Sequence, residues 1–91
     1  QLTFLDDDGQ VEALLAREGA HLTLADQRCI LNPGSVGQPR DGDPRASAMT
    51  IETESGVVEW LRFEYDIEAT QADIRALPLP GRLADRLELG V

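Results

Sequence analysis

The sequence predicts an α+β fold in which antiparallel β hairpins are followed by two short C-terminal helices. Short apolar runs separated by turn residues occupy residues 1–65, as expected of hairpins. Residues 66–91 instead show Ile and Leu at helical spacing between capping residues. We therefore expect a β meander over residues 1–31, a shaped loop over 32–45, a β hairpin over 46–65 and a helical tail over 66–91.

Two hairpins are predicted before the loop. In the first, residues 6–9 form the turn, because Asp side chains accept hydrogen bonds from local amides and Gly9 can adopt the left-handed conformation. A second short hairpin is predicted around residues 25–27, which separate two further apolar runs. Together the four strands would form the meander.

Strand and helix signals continue after the loop. Residues 54–56 turn the chain into a strand region whose aromatic residues, Trp60, Phe63 and Tyr65, are expected in the core. Asp66 is a suitable N-cap for the first helix, which we expect to run to about residue 77.

The second helix is shorter. Pro80 has the fixed φ that suits a first helical turn, and Gly90 is a typical helix stop. We expect this helix to continue to about Leu89. The two helices would complete the tail of the domain.

Residues 32–45, termed the Gly/Pro loop below, contain three Pro and three Gly residues, which fix φ or permit a positive φ and a close backbone approach. Arg40 and Arg45 could bind a phosphate oxygen from this loop, with Asp41 and Asp43 orienting them. Alternatively, the Arg–Asp pairs only brace the loop itself. The sequence leaves both interpretations open.

Composition limits the function. The chain has 17 acidic and 8 basic residues, and its net charge of -9 argues against binding to a nucleic-acid backbone. Every basic residue is Arg, whose planar fork suits carboxylate or phosphate groups. A single cysteine, Cys29, excludes an internal disulfide and a Cys-based zinc site, and we expect it to be a buried, reduced thiol.

The chain is expected to be cytoplasmic and to have no contact with a membrane. No apolar run approaches the roughly 20 residues that a membrane-spanning helix needs, and no secretion signal pattern is present. Residues 1–5 enter a strand-like run at once, without an initiating Met. We therefore expect the chain to be a piece of a longer protein.

Two other motifs are rejected. In a calcium-binding loop containing Asp6 and Asp8, the closing twelfth position would be Leu15, which cannot supply the bidentate carboxylate. Ser35 and Ser47 lack a general base, since His21 is the only histidine and is expected to be a partly exposed strand residue. A Ser-His-Asp hydrolase is therefore not predicted.

A long motif resembles a known family. The run is Asn32-Pro33-Gly34-Ser35-Val36-Gly37-Gln38-Pro39-Arg40-Asp41-Gly42-Asp43-Pro44-Arg45-Ala46-Ser47, and Tyr65-Asp66 and Leu77-Pro78-Leu79-Pro80 follow it. This pattern resembles the C-terminal signature of the calcineurin-like metallophosphoesterases, particularly their small bacterial cytosolic branch. Ala48 departs from the family, which often has an aromatic residue there. The resemblance implies that residues 1–91 are the C-terminal portion of a single α/β metallophosphoesterase sandwich.

The family hydrolyses phosphate mono- or diesters with two divalent metal ions, such as manganese, which polarise the phosphoryl group and activate a hydroxide. The resemblance implies that the metal ligands lie outside this segment, upstream of Gln1, in the missing N-terminal part of the same domain. None of the family's ligand motifs occurs in the chain. The segment would supply a sheet edge and a wall of the active site, and it would be inactive alone.

Two roles are assigned to residues of the Gly/Pro loop. Arg40 and Arg45 are expected to contact the phosphate of a small ester substrate. The loop shape is expected to depend on Asn32, Pro33, Gly34, Ser35 and Gly37. No catalytic residue and no metal ligand is assigned within the chain.

Two alternatives remain. Some members of the same superfamily have lost catalysis and serve as scaffolds in protein assemblies, such as a retromer subunit. A self-contained β-rich binding domain is the other alternative. The sequence makes no prediction about the oligomeric state.

Overall fold

The computed structural model describes residues 2–25 and 28–91 and confirms the predicted α+β class. Antiparallel strands are followed by two short helices near the C-terminus. The elements are β1 (Leu2–Asp7), β2 (Gln10–Leu15), β3 (His21–Thr23), β4 (Arg28–Ile30), β5 (Ala46–Ile51), β6 (Val57–Phe63), α1 (Ile67–Arg75) and α2 (Arg82–Asp85).

The chain divides into two compact units. The first unit comprises the described parts of Gln1–Gly34 together with Ser47–Arg62, and the second comprises Ser35–Ala46 and Phe63–Val91. The strands form two three-stranded sheets, with the orders β2-β1-β4 and β3-β6-β5. No helix in the described part of the chain is both long enough and apolar enough to cross a membrane.

The first predicted hairpin is confirmed. β1 and β2 pair antiparallel along their whole length, from Leu2 opposite Leu15 to Asp7 opposite Gln10. Only two residues lie between the strands, and both Asp8 and Gly9 have positive φ, as a tight hairpin turn of the primed type requires. The amide of Gly9 donates a hydrogen bond of 3.0 Å to Asp6 Oδ1. The turn is therefore shorter than the sequence predicted.

The second predicted hairpin is wrong, and residues 1–31 do not form a meander. β4 pairs with β1, whereas β3 pairs with β6, so the two strands belong to different sheets. Asp26 and Gln27 of the expected turn lie outside the described residues. A strand of three residues gains little from an equally short neighbour, and β6 places Leu22 opposite the fully buried Val58. The longer partner therefore overrides proximity along the chain.

The β5–β6 hairpin is confirmed, since the two strands are neighbours in the second sheet. The amide of Gly56, which has φ of 74°, donates to the carbonyl of Glu52 at 2.8 Å, and the amide of Glu52 donates to the carbonyl of Val57. Of the three aromatic residues expected in the core, Trp60 is buried and Tyr65 is partly buried. Phe63, the last residue of β6, is 51% exposed, so the prediction that it lies in the core is wrong.

The helical tail is confirmed with shorter helices. Asp66 caps α1, because its Oδ1 accepts a hydrogen bond of 3.0 Å from the amide of Ala69. α1 ends at Arg75, two residues before the predicted end at residue 77. The prediction of a second helix to about Leu89 was too long, since α2 ends at Asp85 and i to i+3 turn bonds follow it.

The two helices of the tail contact each other through a buried polar group. Gln71 of α1 is buried, and its Nε2 donates a hydrogen bond of 2.9 Å to the carbonyl of Ala84 in α2. Ala84 itself is fully buried, and Leu87 is nearly so. A small side chain at residue 84 allows the two helices to approach closely, and the buried side-chain amide of Gln71 finds an acceptor in the carbonyl of Ala84, which also accepts from the amide of Leu87 at 3.2 Å.

We expect Asp66→Ala to lower the free energy of unfolding by about 0.5–2 kcal/mol, because the amide of Ala69 loses its acceptor. Asp73→Ala is the matched control, since Asp73 is an exposed Asp on the same helix. It should change stability by less than about 0.5 kcal/mol. Urea denaturation of both variants makes the measurement, and equal effects would show that the cap is not the cause.

Candidate functional site

The Gly/Pro loop connects β4 of the first sheet to β5 of the second sheet without forming a helix or strand. Its first three residues belong to the first unit, and residues 35–45 belong to the second unit. The two parts are held by different neighbours.

The first part of the loop bends at an Asx turn. Asn32 Oδ1 accepts a hydrogen bond of 2.9 Å from the amide of Gly34, which has φ of 88°. Both the amide and the carbonyl of Asn32 form hydrogen bonds with side chains. Its amide donates to Thr3 Oγ1 of β1 at 3.3 Å, and its carbonyl accepts from Trp60 Nε1 of β6 at 2.9 Å. These bonds involve both sheets of the first unit.

The next carbonyl is also bound by a side chain. Ser47, at the start of β5, donates its hydroxyl to the carbonyl of Pro33 at 2.7 Å and is only 3% exposed. No sequence pattern marks Thr3, Ser47 or Trp60 as an anchor of the loop. The available signal was weak, because hydroxyl groups in short strands also occur on exposed faces.

The second part of the loop makes local bonds. Ser35 Oγ accepts a hydrogen bond of 2.9 Å from the amide of Gln38, and Pro39 is fully buried. Gly37 has neither a positive φ nor a described atom within 4 Å of a Cβ built on it. Its assignment to the loop shape stays a prediction, with no geometric reason for glycine at that position.

Arg45 is firmly held by Asp43. The Arg45 Nε and Nη2 atoms lie 3.1 Å and 2.8 Å from Asp43 Oδ1 and Oδ2, which is a bidentate pair. The Arg45 amide also donates to Asp43 Oδ1 at 3.0 Å. Both side chains are about one third exposed. The pair therefore fixes the plane of the guanidinium group while part of it faces solvent.

Arg40 is held more weakly. Its side chain is exposed, and Nη2 donates to the neutral Gln38 Oε1 at 3.3 Å. Within residues 2–25 and 28–91, Arg40 forms no ion pair with a carboxylate. The loop thus presents one oriented arginine and one adaptable arginine, and phosphate binding by either of them stays a prediction.

The C-terminal residues pack against this part of the loop. The amide of Gly42, which has φ of 85°, donates to the carbonyl of Gly90 at 2.9 Å. Gly90 has φ of 68° and is buried, and a Cβ built on it would lie 2.8 Å from backbone atoms of Asp43. Only glycine fits this position without a shift of the backbone.

A metal centre does not fit the described residues. They contain no group of three or more His, Cys, Asp or Glu side chains that could hold an ion. His21 Nε2 lies 3.6 Å from Glu59 Oε1. The His21 side chain is exposed on β3, in line with the expectation of a partly exposed strand residue. Cys29 is a free thiol and is partly, not fully, buried.

The first sheet has an apolar outer face, defined here as the side chains of Phe4, Val11, Leu15 and Ile30. Strand pairing places Phe4 opposite Ile30, and all four residues are exposed. A cavity of about 340 Å³ opens on this part of the sheet. Its lining consists of Phe4, Leu5, Asp6, Val11, Arg28, Cys29 and Ile30.

Comparison with known proteins supports the fold. No family model matches the chain. The chain is 42% identical to an uncharacterized protein of Methanocaldococcus jannaschii over 77 residues, which are 85% of this chain and 32% of that protein. Over 99% of its length it is similar to the crystal structure of a metallophosphoesterase from Sphaerobacter thermophilus, with a TM-score of 0.81 and 38% identity.

The similarity shows which class of fold the chain corresponds to. The α+β arrangement of this chain corresponds to a segment of a metallophosphoesterase fold. The chain spans about a third of the curated relative and 38% of the solved metallophosphoesterase. Most of each relative therefore has no counterpart in these 91 residues.

We expect Ser47→Ala to lower the free energy of unfolding by about 1–3 kcal/mol, because the carbonyl of Pro33 loses a buried donor. Ser55→Ala is the matched control, since Ser55 is exposed and lies in the turn after β5. It should cost less than about 0.5 kcal/mol. Thermal or urea unfolding of both variants gives the comparison, and a Ser47→Ala cost as small as that of the control contradicts the anchoring role.

Proposed function

We propose that this chain is part of a metal-dependent phosphoesterase that hydrolyses phosphate mono- or diesters. The supporting observation is its similarity to a metallophosphoesterase over 99% of its length at 38% identity. The motif over residues 32–47 agrees with the same superfamily and with a C-terminal position in the domain. Membership of the small bacterial cytosolic branch is part of the proposal.

The segment supplies a sheet edge and one wall of the active site, and it contributes no metal ligand. The metal ligands are proposed to lie elsewhere in the complete protein. Two divalent ions, such as manganese, would be bound there. The free thiol of Cys29 is compatible with a reducing, cytoplasmic location.

The Gly/Pro loop forms the wall, and Arg40 and Arg45 bind the substrate phosphate. Arginine suits this role because its guanidinium group donates several hydrogen bonds in one plane. Asp43 uses two side-chain nitrogens of Arg45, so the group is oriented before substrate arrives. Arg40 can adapt its position, since only a neutral amide oxygen holds it among the described residues.

The remaining part of the same polypeptide covers the apolar outer face of the first sheet. Four large apolar side chains are exposed there, and covering the parts that remain exposed would contribute about 3–7 kcal/mol in total. The relatives are long enough to supply such a cover, since this chain spans about a third of one and 38% of another. The partner is thus proposed to be the rest of the domain.

The phosphate role predicts a loss of activity in the complete protein. Arg40→Ala and Arg45→Ala should each reduce kcat/KM for a generic aryl phosphodiester roughly 10- to 150-fold, which corresponds to a lost charge-assisted hydrogen bond of about 1.5–3 kcal/mol. Arg82→Ala is the matched control, because Arg82 is exposed on α2. Manganese-dependent hydrolysis is the readout.

Unchanged activity in the double variant Arg40→Ala, Arg45→Ala would contradict the phosphate role. If the complete unsubstituted protein shows no metal-dependent hydrolysis at all, the scaffold alternative replaces the enzyme. The same assay therefore separates the role of the arginines from the class of the protein.

If the outer face is covered in the complete protein, the stability costs of substitutions at Ile30 and Ile51 should rank in the opposite order to that expected from their exposures. Ile30 is 69% exposed and Ile51 is 46% exposed, so the exposures alone would make Ile51→Asp the more costly change. If the outer face is covered, Ile30→Asp buries a charge and should cost about 3 kcal/mol or more. Urea denaturation decides, and a larger cost for Ile51→Asp contradicts the cover.

A further inference from the structure

We propose that Gly90 is a positioning residue for Arg45, acting through the backbone of Asp43. This inference rests on the proposed phosphate contact of Arg45. It extends that proposal to the C-terminal end of the chain, to which the sequence assigned only a helix stop. Three steps connect the two residues, and all of them lie within the second unit.

The first step is a backbone contact that excludes a side chain. The Cβ position of Gly90 lies 2.8 Å from both the N and the C atom of Asp43, and 2.9 Å from the carbonyl carbon of Gly42. The obstacles are backbone atoms, which cannot rotate away as the end of a side chain can. Any larger residue at position 90 must therefore displace the loop or the C-terminus.

The second step fixes the loop to the same glycine. The amide of Gly42 donates to the carbonyl of Gly90 at 2.9 Å. Gly42 has φ of 85° and Gly90 has φ of 68°, so both residues need the left-handed region. This hydrogen bond holds the two segments at a separation that leaves no room for a Cβ at residue 90.

The third step joins Asp43 to Arg45. The residue whose backbone touches Gly90 binds Arg45 with three hydrogen bonds, two to the guanidinium group and one to the amide. A shift of the Asp43 backbone therefore moves or turns the guanidinium group. An error of about 1 Å in a group that positions substrate is enough to weaken an enzyme considerably.

The C-terminal end is itself held in place. Leu87 is buried, and Arg86 Nε donates to the carbonyl of Val91 at 2.9 Å. The amide of Val91 donates back to the carbonyl of Arg86 at 3.4 Å. Gly90 thus lies in a closed turn after α2, and this turn can act as a fixed support for the loop.

The test compares Gly90→Ala with Gly81→Ala in the complete protein. Gly81 has φ of -58° and no described atom within 4 Å of its Cβ position, so the same substitution there should change nothing. Gly90→Ala should raise KM for an aryl phosphodiester about tenfold and leave kcat within about twofold, because binding is lost and the chemical step is not. Circular dichroism at the assay temperature confirms that the variants are folded.

A double-mutant cycle with Arg45→Ala separates positioning from a general loss of structure. If Gly90 acts through Arg45, Gly90→Ala should cause no further rise in KM once Arg45 is already Ala. Independent, multiplicative losses would overturn the inference. If Gly90→Ala fails to fold, Asp43→Asn tests the same chain of contacts, and an unchanged KM in that variant would also overturn it.

Different results would contradict the phosphate role of Arg45 and the positioning role of Gly90. If Arg45→Ala leaves kcat/KM unchanged, the phosphate role of Arg45 is wrong, and the positioning role falls with it. If Arg45→Ala raises KM and Gly90→Ala does not, the phosphate role stands and only the positioning role is overturned.

Discussion

The fixed backbone of Asn32 and Pro33 is the constraint on which the rest of the first unit depends. Three side chains from three strands bind these two residues, namely Thr3, Ser47 and Trp60. Thr3 belongs to one sheet, and the other two belong to the second sheet. A carbonyl buried without a donor costs about 1–3 kcal/mol, so the three bonds hold the loop start and both sheets in one arrangement.

The sequence predicted those parts of the fold that local signals determine. The turns of the β1–β2 and β5–β6 hairpins contain Gly9 and Gly56, and both have the positive φ that such turns require. The Asp66 cap is equally local. The separation of β3 and β4 into different sheets was missed, because a pairing between strands distant in the chain depends on burial that residue spacing does not reveal.

In the candidate site too, the sequence predicted local features and missed contacts between residues distant in the chain. The motif over residues 32–47 identified the loop and its two arginines from sequence alone. The anchors Thr3 and Ser47 were missed, since a hydroxyl group on a strand has no signature that marks it as buried. The contact of Gly90 with Asp43 was also missed, because the spacing of residues predicts a helix stop and gives no information about a distant loop.

The two alternatives for Arg45, bracing and phosphate binding, are compatible in the structure. A free arginine side chain loses about 2 kcal/mol of rotamer entropy when it becomes ordered, which is comparable to one charge-assisted hydrogen bond. Asp43 has already ordered Arg45, so a phosphate need not supply that cost again. The carboxylate also reduces the local positive charge, so the proposed phosphate contact would gain from the exposed guanidinium group of Arg40.

The first unit has few large apolar side chains in its core and several on its outer face. Its large buried apolar side chains among the described residues are Leu5, Val58 and Trp60. Covering the parts of the four outer-face side chains that remain exposed would contribute about 3–7 kcal/mol. That sum is comparable to the lower part of the range for the whole stability of a typical domain, about 5–15 kcal/mol. If the rest of the domain covers this face, as proposed, the sheet that supports the Gly/Pro loop would gain stability from the same association that completes the active site.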